Sequence, residues 1–163
     1  MILSHATISD VKILQTTGPW DTKSGGVLNV LFSLNKDVLD NFFSYESLEL
    51  SITKEDIRGL RVYRVSQIKK ARIGANEWHR IRCEIVSVIK GRVLWKLQDT
   101  QGNQIEHILD PTNNSLLIPP YIMHTYEALE DDSEILVIAN TIFIVNDDTT
   151  HDTYPESEFP ICQ

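Results

Sequence analysis

The chain has 163 residues, a formal net charge of -8 and a hydrophobic content of 42%. This length fits one domain, and the apolar content is enough to form a core, which excludes wholesale disorder. The acidic total argues against nucleic acid or an anionic membrane as a partner.

The charges are distributed unevenly along the chain. All 15 Lys and Arg residues precede residue 97, and 12 of them lie between Lys54 and Lys96, where only four acidic residues oppose them. That stretch therefore carries +8, while the rest of the chain, with 3 cations and 19 acids, carries -16. A basic segment inside an acidic protein predicts a local site for an anion.

The cysteines and the N-terminus exclude several classes of protein. Cys83 and Cys162 form no Cys-x-x-Cys motif, so a thiolate zinc site or a dithiol redox site is not expected. The first ten residues lack a basic start followed by an apolar stretch, and no run of about 18 apolar residues occurs. We therefore predict a cytoplasmic protein.

Short alternating runs separated by turn residues dominate the sequence. The predicted strands span residues 26–34, 48–52, 60–68, 84–89, 93–97, 104–109, 116–118, 121–129 and 134–145. Asn35 is the predicted N-cap of a short helix that ends near Phe43. Strands at this spacing predict an antiparallel sandwich or barrel with a core over about residues 26–145. Residues 146–163 are acidic and poor in apolar side chains, and this predicts an extended tail on a single domain.

Two segments carry the candidate chemistry. In the first, Glu77 and His79 are two residues apart, so both point to one face of a strand, and Glu84 begins the next strand. In the second, Pro119 and Pro120 fix the approach to His124, at the start of another strand. The remaining histidines, His5, His107 and His151, are interpreted as surface or satisfied core residues.

These segments resemble the two signature motifs of the cupin superfamily. The first motif has the form His-x-His, three or four residues, Glu, six residues and Gly. His79, Glu84 and Gly91 match its spacing, and Glu77 stands at the position of the first His. The second motif has the form Pro-x-Gly-x-x-His, which residues 119–124 match with Tyr121 in place of Gly. The resemblance implies an all-β cupin barrel (double-stranded β-helix, jelly roll) with a short helix near the N-terminus.

Within the RmlC-like cupins, residues 61–91 resemble the central region of dTDP-4-keto-6-deoxyglucose 3,4-ketoisomerases. Residues 74–84, 118–124 and 152–154 are similar to the metal-binding cupin domain of capsular-polysaccharide reductase-epimerases. Residues 58–60 are similar to the Arg-Gly-Leu-His segment of dTDP-4-dehydrorhamnose 3,5-epimerases, although Arg61 occupies the position of that family's catalytic His. These resemblances imply a nucleotide-sugar isomerase or epimerase of polysaccharide biosynthesis. They also imply a homodimer, for which strand 26–34 is a plausible edge.

The implied reaction transfers a proton beside the ketone of a nucleotide-linked 4-keto-deoxyhexose. His79 is the predicted principal base or acid, and Glu77 and His124 assist it. Arginine side chains of the basic segment suit the phosphate oxygens of the nucleotide. The predicted substrate-binding residues are Arg61, Tyr63, Arg72, Trp78 and Tyr126, although Trp78 also fits a packing role.

The same side chains also suit a metal ion. Glu77, His79, Glu84 and His124 offer two imidazoles and two carboxylates, a set that suits zinc, manganese, iron or nickel. The sequence leaves two possibilities equally open, no required cofactor or one divalent ion, and Glu84 also fits a buried ion pair with Arg82. The alternative functions are a metal-dependent cupin enzyme, such as a dioxygenase or small-molecule isomerase, and a non-catalytic cupin that binds a sugar nucleotide.

Overall fold

The computed structural model describes residues 5–45 and 56–161. Its strands and single α-helix, in chain order, are β1 (Lys12–Leu14), β2 (Thr17–Asp21), β3 (Val27–Val30), α1 (Lys36–Phe42), β4 (Arg58–Ile68), β5 (Ile73–Trp78), β6 (Glu84–Lys90), β7 (Val93–Gln98), β8 (Gln104–Leu109), β9 (Ser115–Ile118), β10 (Met123–Ala128), β11 (Ser133–Thr141) and β12 (Tyr154–Pro155). Three short 3-10 helices span Ile8–Asp10, Asp148–Thr150 and Glu156–Glu158.

Ten of these strands form two antiparallel sheets of five strands each. The strand order is β1-β9-β6-β11-β4 in one sheet and β12-β5-β10-β7-β8 in the other. Side chains from both sheets pack into a single apolar core that includes Val86, Leu116 and Ile135 from the first sheet and Val93 and Leu97 from the second. The all-β jelly-roll barrel predicted from the sequence is therefore confirmed.

Strand parity decides which side chains of the basic segment reach the barrel interior. On β4, Tyr63 and Val65 pack against the core, while the alternate residues Leu60 and Val62 are more than half exposed. On β6 both faces are covered, because the short helix packs behind it. Cys83 lies in that back layer, where burial raises the pKa of its thiol above the usual range.

The predicted helix is present and has the predicted cap. The side-chain oxygen of Asn35 accepts a hydrogen bond from Val38 N at 2.9 Å, and Phe42 is the buried residue of the helix. The carbonyl of Phe42 accepts a hydrogen bond from Asn140 Nδ2 at 2.8 Å, which ties the helix to β11. The helix thus closes the back of the first sheet.

Several predicted strands differ from the observed ones at their ends. Predicted strand 26–34 is only Val27–Val30, and it pairs with β2 in a two-stranded sheet outside the barrel. Predicted strand 134–145 ends at Thr141, and strand 121–129 begins at Met123. The predicted strand 48–52 lies outside the described residues. No helix in the described part of the chain has the length and apolar character needed to cross a membrane.

The prediction of an extended tail at residues 146–163 is wrong for its described part. Tyr154 pairs with Trp78 on β5, so this segment adds a strand to the second sheet. The rings of Tyr154 and Phe159 pack against Trp78, and Asp152 is only 3% exposed. The acidic composition obscured these few aromatic anchors, which fold the segment back over the barrel.

Candidate active site

Three side chains meet inside the barrel. His79 follows β5, Glu84 begins β6, and His124 is the second residue of β10. His79 Nε2 lies 3.6 Å from Glu84 Oε1, and His124 Nε2 lies 3.8 Å from Glu84 Oε2. All three residues are at most 3% exposed. The two motifs that the sequence singles out therefore converge in space.

Hydrogen bonds to the backbone orient both imidazoles. His79 Nδ1 lies 2.7 Å from the carbonyl oxygen of Asp152, and His124 Nδ1 lies 3.0 Å from that of Ile122. A carbonyl oxygen only accepts, so each Nδ1 carries the hydrogen, and the lone pair of the neutral ring is on Nε2. Both Nε2 atoms are buried and have no hydrogen-bond partner among the described residues. Buried polar atoms of this kind are available to bind a ligand, a metal ion or an ordered water.

Glu77 adds a second carboxylate at the edge of this cluster. Its Oε1 lies 3.9 Å from His79 Nε2, and its side chain is 28% exposed. Potential ligand atoms of Glu77, His79 and His124 all lie within 4.8 Å of one another. Two imidazoles and a carboxylate form a common donor set for divalent transition metals, and Nδ1 hydrogen bonds typically orient metal-bound histidines. These residues fit a metal ion and fit proton transfer equally well.

Hydrogen-bond donors enclose the carboxylate of Glu84. The Tyr63 hydroxyl donates to Oε1 at 3.0 Å, and Arg82 Nη1 donates to the same oxygen at 3.3 Å. Burial by itself raises the pKa of Glu84, but the interactions with His79, His124 and Arg82 outweigh burial and hold this pKa below its usual range. Glu84 is therefore ionised, and the predicted ion pair with Arg82 is present beside the histidines.

His124 and Tyr63 are uncharged in this surrounding. Burial lowers the pKa of His124, and the nearby imidazole of His79 lowers it further. Burial also raises the pKa of Tyr63, and the charge of Glu84 adds to that rise. At neutral pH the site therefore holds a neutral imidazole with a lone pair on Nε2 and a protonated phenol.

A cavity of about 600 Å³ adjoins this cluster, and Arg61, Val62, Tyr63, Arg82, Phe143, His151 and Thr153 line it. The guanidinium carbon of Arg61 lies 5.0 Å from the ring centroid of Tyr63 and 4.4 Å from that of Phe143. Nε of Arg61 and Nε of Arg82 are buried without a hydrogen-bond partner among the described residues. Two such guanidinium groups, of which that of Arg61 lies over aromatic rings, suit a ligand that carries both phosphate and a flat ring.

Three of the predicted substrate-binding residues lie on the barrel's inner face. Arg61 and Tyr63 share the cavity wall, as their parity on β4 predicts. Tyr126, two residues after His124 on β10, is partly buried, and its ring centroid lies 5.4 Å from that of Trp95. These side chains extend the site from the histidines along both sheets.

The structure does not bring Trp78 and Arg72 to the site. Trp78 is 2% exposed and packs against Tyr121 and Tyr154 on the other face of β5, which agrees with its alternative packing role. Arg72 is exposed in the turn before β5, and its carbonyl accepts from Ala128 N, at the opposite end of β10 from His124. Only part of the basic segment therefore lies at the cavity.

Sequence reasoning missed several residues that line the site. From the sequence, Arg82 is named only as an ion-pair partner of Glu84, and its spacing of two residues from Glu84 is the signal that could have placed it on the cavity wall. His151, interpreted from the sequence as a surface or satisfied residue, lines the cavity, and its Nε2 is buried without a partner in the described chain. Phe143 carries no sequence signal, and Thr153 has only the resemblance at residues 152–154. The fold of the C-terminal segment brings both to the cavity.

The two glycine positions of the cupin motifs are occupied by Gly91 and by Tyr121. Gly91 has a φ of +75°, and a Cβ there would lie 2.4 Å from Ser133 Oγ, so the β6–β7 turn requires glycine. Tyr121, which replaces the second motif's glycine, also has a positive φ, of 62°. Its ring packs on Trp78, and its backbone N donates to the carbonyl of His79 at 2.8 Å. These contacts hold the left-handed conformation that glycine adopts without strain.

The fold and the converged motifs define a cupin of the RmlC-like class. The family model described as FdtA, WxcM-like, C-terminal, matches residues 46–155, and the chain belongs to this family. No curated protein sequence matches the chain significantly.

Solved structures with a similar fold include two sugar ketoisomerases. A variant of the 3,4-ketoisomerase QdtA from Thermoanaerobacterium thermosaccharolyticum, in complex with TDP-4-keto-6-deoxyglucose, is 17% identical, with a TM-score of 0.64 over 94% of this chain and 93% of its own. The TDP-quinovose 3,4-ketoisomerase WlaRB from Campylobacter jejuni is 17% identical, with a TM-score of 0.65 over 94% and 98%. CapF, a capsular polysaccharide assembling protein from Staphylococcus aureus, is 22% identical, with a TM-score of 0.48 over 61% and 26%.

Proposed function

We propose that the protein is an isomerase or epimerase of a nucleotide-linked 4-keto-deoxyhexose. One observation carries the proposal: two buried imidazoles expose unpartnered Nε2 atoms beside the carboxylates of Glu77 and Glu84. The arginine-lined cavity adjoins them. The similarity to TDP-sugar ketoisomerases agrees with this function and favours TDP as the nucleotide.

In this mechanism His79 is the base at the reacting carbon. Nε2 of His79 takes the proton from the carbon beside the ketone and leaves an enolate. The charge of Glu77, 3.9 Å away, stabilises the imidazolium that forms. For an isomerase, the proton on His79 exchanges with solvent, and His79 then delivers a proton to the former carbonyl carbon, while the neighbouring hydroxyl proton passes to the former ketone oxygen. No atom is gained or lost, and the neutral His124 shuttles the hydroxyl proton.

The nucleotide half of the substrate occupies the neighbouring cavity. Arg61 and Arg82 present guanidinium donors to the diphosphate, and the ring of Phe143 provides a stacking surface. Because these contacts lie away from the reacting carbon, they provide binding energy that the free sugar lacks.

Solvent exchange tests the proposal. In deuterated water, dTDP-4-keto-6-deoxyglucose is expected to gain deuterium at the carbon that is protonated, detected by proton NMR. His79→Asn should abolish this exchange, while Arg61→Ala should raise KM with a smaller effect on kcat. If the substrate binds but gains no deuterium with the wild-type protein, the isomerase proposal is wrong and the non-catalytic binding function stands.

A metal-dependent cupin enzyme is the second candidate function, favoured by the mutual distances of Glu77, His79 and His124. A divalent ion on these residues would act as a Lewis acid at the substrate's ketone oxygen. Elemental analysis and calorimetric titration with zinc, manganese and nickel salts would measure this binding without an activity assay. Stoichiometric metal that is lost in His124→Ala would support this candidate, and no binding by the wild-type protein would exclude it.

We also propose a homodimer, as the resemblance implies. The β2–β3 sheet stands outside the barrel and has three apolar side chains at least half exposed: Trp20, Val27 and Leu28. One edge of β4 is unpaired among the described strands, and its outward residues Leu60 and Val62 are also exposed. Such surfaces favour pairing with a second copy of the chain. Analytical ultracentrifugation of wild type and Leu60→Lys tests the dimer, and a Leu60→Lys protein that is monomeric where the wild type is dimeric would support it. The cytoplasmic location stays a prediction.

A further inference from the structure

We propose that Asp152 is a positioning residue that sets the tautomer of His79 and the conformation of the loop that carries Arg82. The inference rests on the proposed function, because it assigns His79 Nε2 as the base. Asp152 lies in the C-terminal segment, about 70 residues along the chain from both of its targets, as its hydrogen bonds to residues 79–82 show. The sequence gives no sign of this link beyond the resemblance at residues 152–154.

The carboxylate of Asp152 binds three successive backbone amides between β5 and β6. Its Oδ1 accepts from Arg80 N at 3.0 Å, and its Oδ2 accepts from Ile81 N at 3.0 Å and Arg82 N at 2.8 Å. The residue is only 3% exposed. A buried carboxylate with three amide donors gains charge-assisted hydrogen bonds, which are stronger than those between neutral groups. Asp152 of the C-terminal segment therefore fixes the conformation of this loop.

The backbone carbonyl of the same residue orients His79. It lies 2.7 Å from His79 Nδ1 and so requires the hydrogen on that nitrogen. The flanking residues hold Arg82, whose guanidinium donates to the carbonyl of His151 and, at 3.2 Å, to Thr153 Oγ1. Residues 151–153 thus connect the candidate base to an arginine of the cavity.

The conformation of Asp152 explains how one residue makes all these contacts. Its φ is 47°, in the left-handed region, where Asp and Asn are tolerated far better than most side chains. In this turn the carboxylate and the carbonyl both reach residues 79–82. A partner that holds the Nδ1 hydrogen keeps Nε2 free to accept a proton, whereas the opposite tautomer would remove the base from the reacting carbon.

The variant Asp152→Asn tests this inference, because asparagine keeps the size and the left-handed conformation. It replaces one carboxylate oxygen with an NH2 group, which cannot accept from the loop amides. We expect kcat for the keto sugar to fall about 10–100-fold, the range for residues that orient a functional histidine. Because the weakened bonds to the loop amides let residue 152 move, its carbonyl should bind His79 Nδ1 less often. We therefore expect the His79 ring nitrogens to change from a single Nδ1–H tautomer to a mixture, measured by long-range proton–nitrogen NMR.

The NMR readout separates this inference from the proposed function, since it needs no substrate. The His79 signals are assigned with His79→Asn, and Glu158→Gln is the matched control, because it removes one exposed negative charge from the same segment. An unchanged His79 tautomer in Asp152→Asn would overturn the positioning role, even if kcat fell through lost stability. A wild-type His79 that carries its hydrogen on Nε2 would overturn it without any variant. A protein that shows the expected tautomers but no turnover would disprove only the isomerase function.

Discussion

The two ends of the barrel interior differ in chemistry although the same strands build both. On β6, Glu84, Val86 and Val88 point inward in succession, and all three are at most 3% exposed. Val86 and Val88 belong to the apolar core, while Glu84 is surrounded by histidine, arginine and tyrosine side chains. A step of two residues along β6 therefore leads from an apolar environment that stabilises the fold to a polar environment that suits catalysis.

The two ends differ in how completely the polar atoms of their buried side chains find hydrogen-bond partners. The apolar end buries aliphatic side chains such as Val86, Val88 and Ile135, which have no polar atoms that need a partner. The polar end buries nitrogen atoms without hydrogen-bond partners in the described chain, among them Nε2 of His79 and His124 and Nε of Arg61 and Arg82. Each unsatisfied buried polar group costs about 1–3 kcal/mol. The polar end is arranged for a ligand at the expense of stability, and the following variants test this division.

The largest expected effect is on activity, at the polar end. His79→Asn removes the candidate base, so kcat should fall about 100–10,000-fold, the contribution typical of a positioned acid or base. The free energy of unfolding should change by only about 1 kcal/mol, because one backbone hydrogen bond is lost and one unsatisfied nitrogen is removed. Steady-state kinetics and urea unfolding measure the two effects. A parallel collapse of stability would show that His79 belongs to the core.

The converse variant lies at the apolar end. Ile135 is fully buried on β11, so Ile135→Ala should lower the free energy of unfolding by about 2–5 kcal/mol through lost burial and the cavity left behind. The kcat per folded molecule should not change, because Ile135 pairs with Val65 and Val88, whereas Glu84 pairs with Ala139 further along β11. A loss of kcat in folded protein would contradict the division between the two ends.

The sequence predicts the residues of the apolar end more fully than those of the polar end. Alternation alone places Val86 and Val88 inside, and the cupin spacing places His79, Glu84 and His124 together. The C-terminal contribution could not be predicted, because Asp152 and His151 reach the site only through the turn and the β12 pairing, which a few aromatic contacts stabilise. Arg72 and Trp78 are errors of the opposite kind, because the sequence predicts both at the site and the structure places them elsewhere. Both are close to the first motif in sequence, but this closeness does not determine which way a side chain points.

A third variant tests whether the contributions of the two ends to the free energy of unfolding depend differently on pH. The folded-state pKa of Glu84 is below its value of 4.5 in the unfolded chain, so its ionised form stabilises the fold. That stabilisation is complete above about pH 4.5 and is lost as the pH falls toward the folded-state pKa. Glu84→Gln should cost roughly 1–3 kcal/mol at pH 7 and progressively less below pH 4.5. Urea unfolding at several pH values measures this difference, and Ile135→Ala, which involves no titrating group, should show a constant cost.

The smallest effect is expected at the boundary between the two ends, which Tyr63 occupies. Its ring packs against the apolar core, while its hydroxyl donates to Glu84 at 3.0 Å. Tyr63→Phe keeps the ring and removes one hydrogen bond to a charged acceptor, so stability should fall by about 1–3 kcal/mol at most, since Arg82 still donates to Glu84. We expect kcat to fall less than about tenfold, since a change of 1.4 kcal/mol corresponds to that factor. Tyr154→Phe, in the Trp78 cluster outside the candidate site, is the matched control. If Tyr63→Phe instead lowered kcat as far as His79→Asn, the phenol would itself be a proton donor in the reaction. The polar end of the barrel would then extend beyond the histidines to include Tyr63.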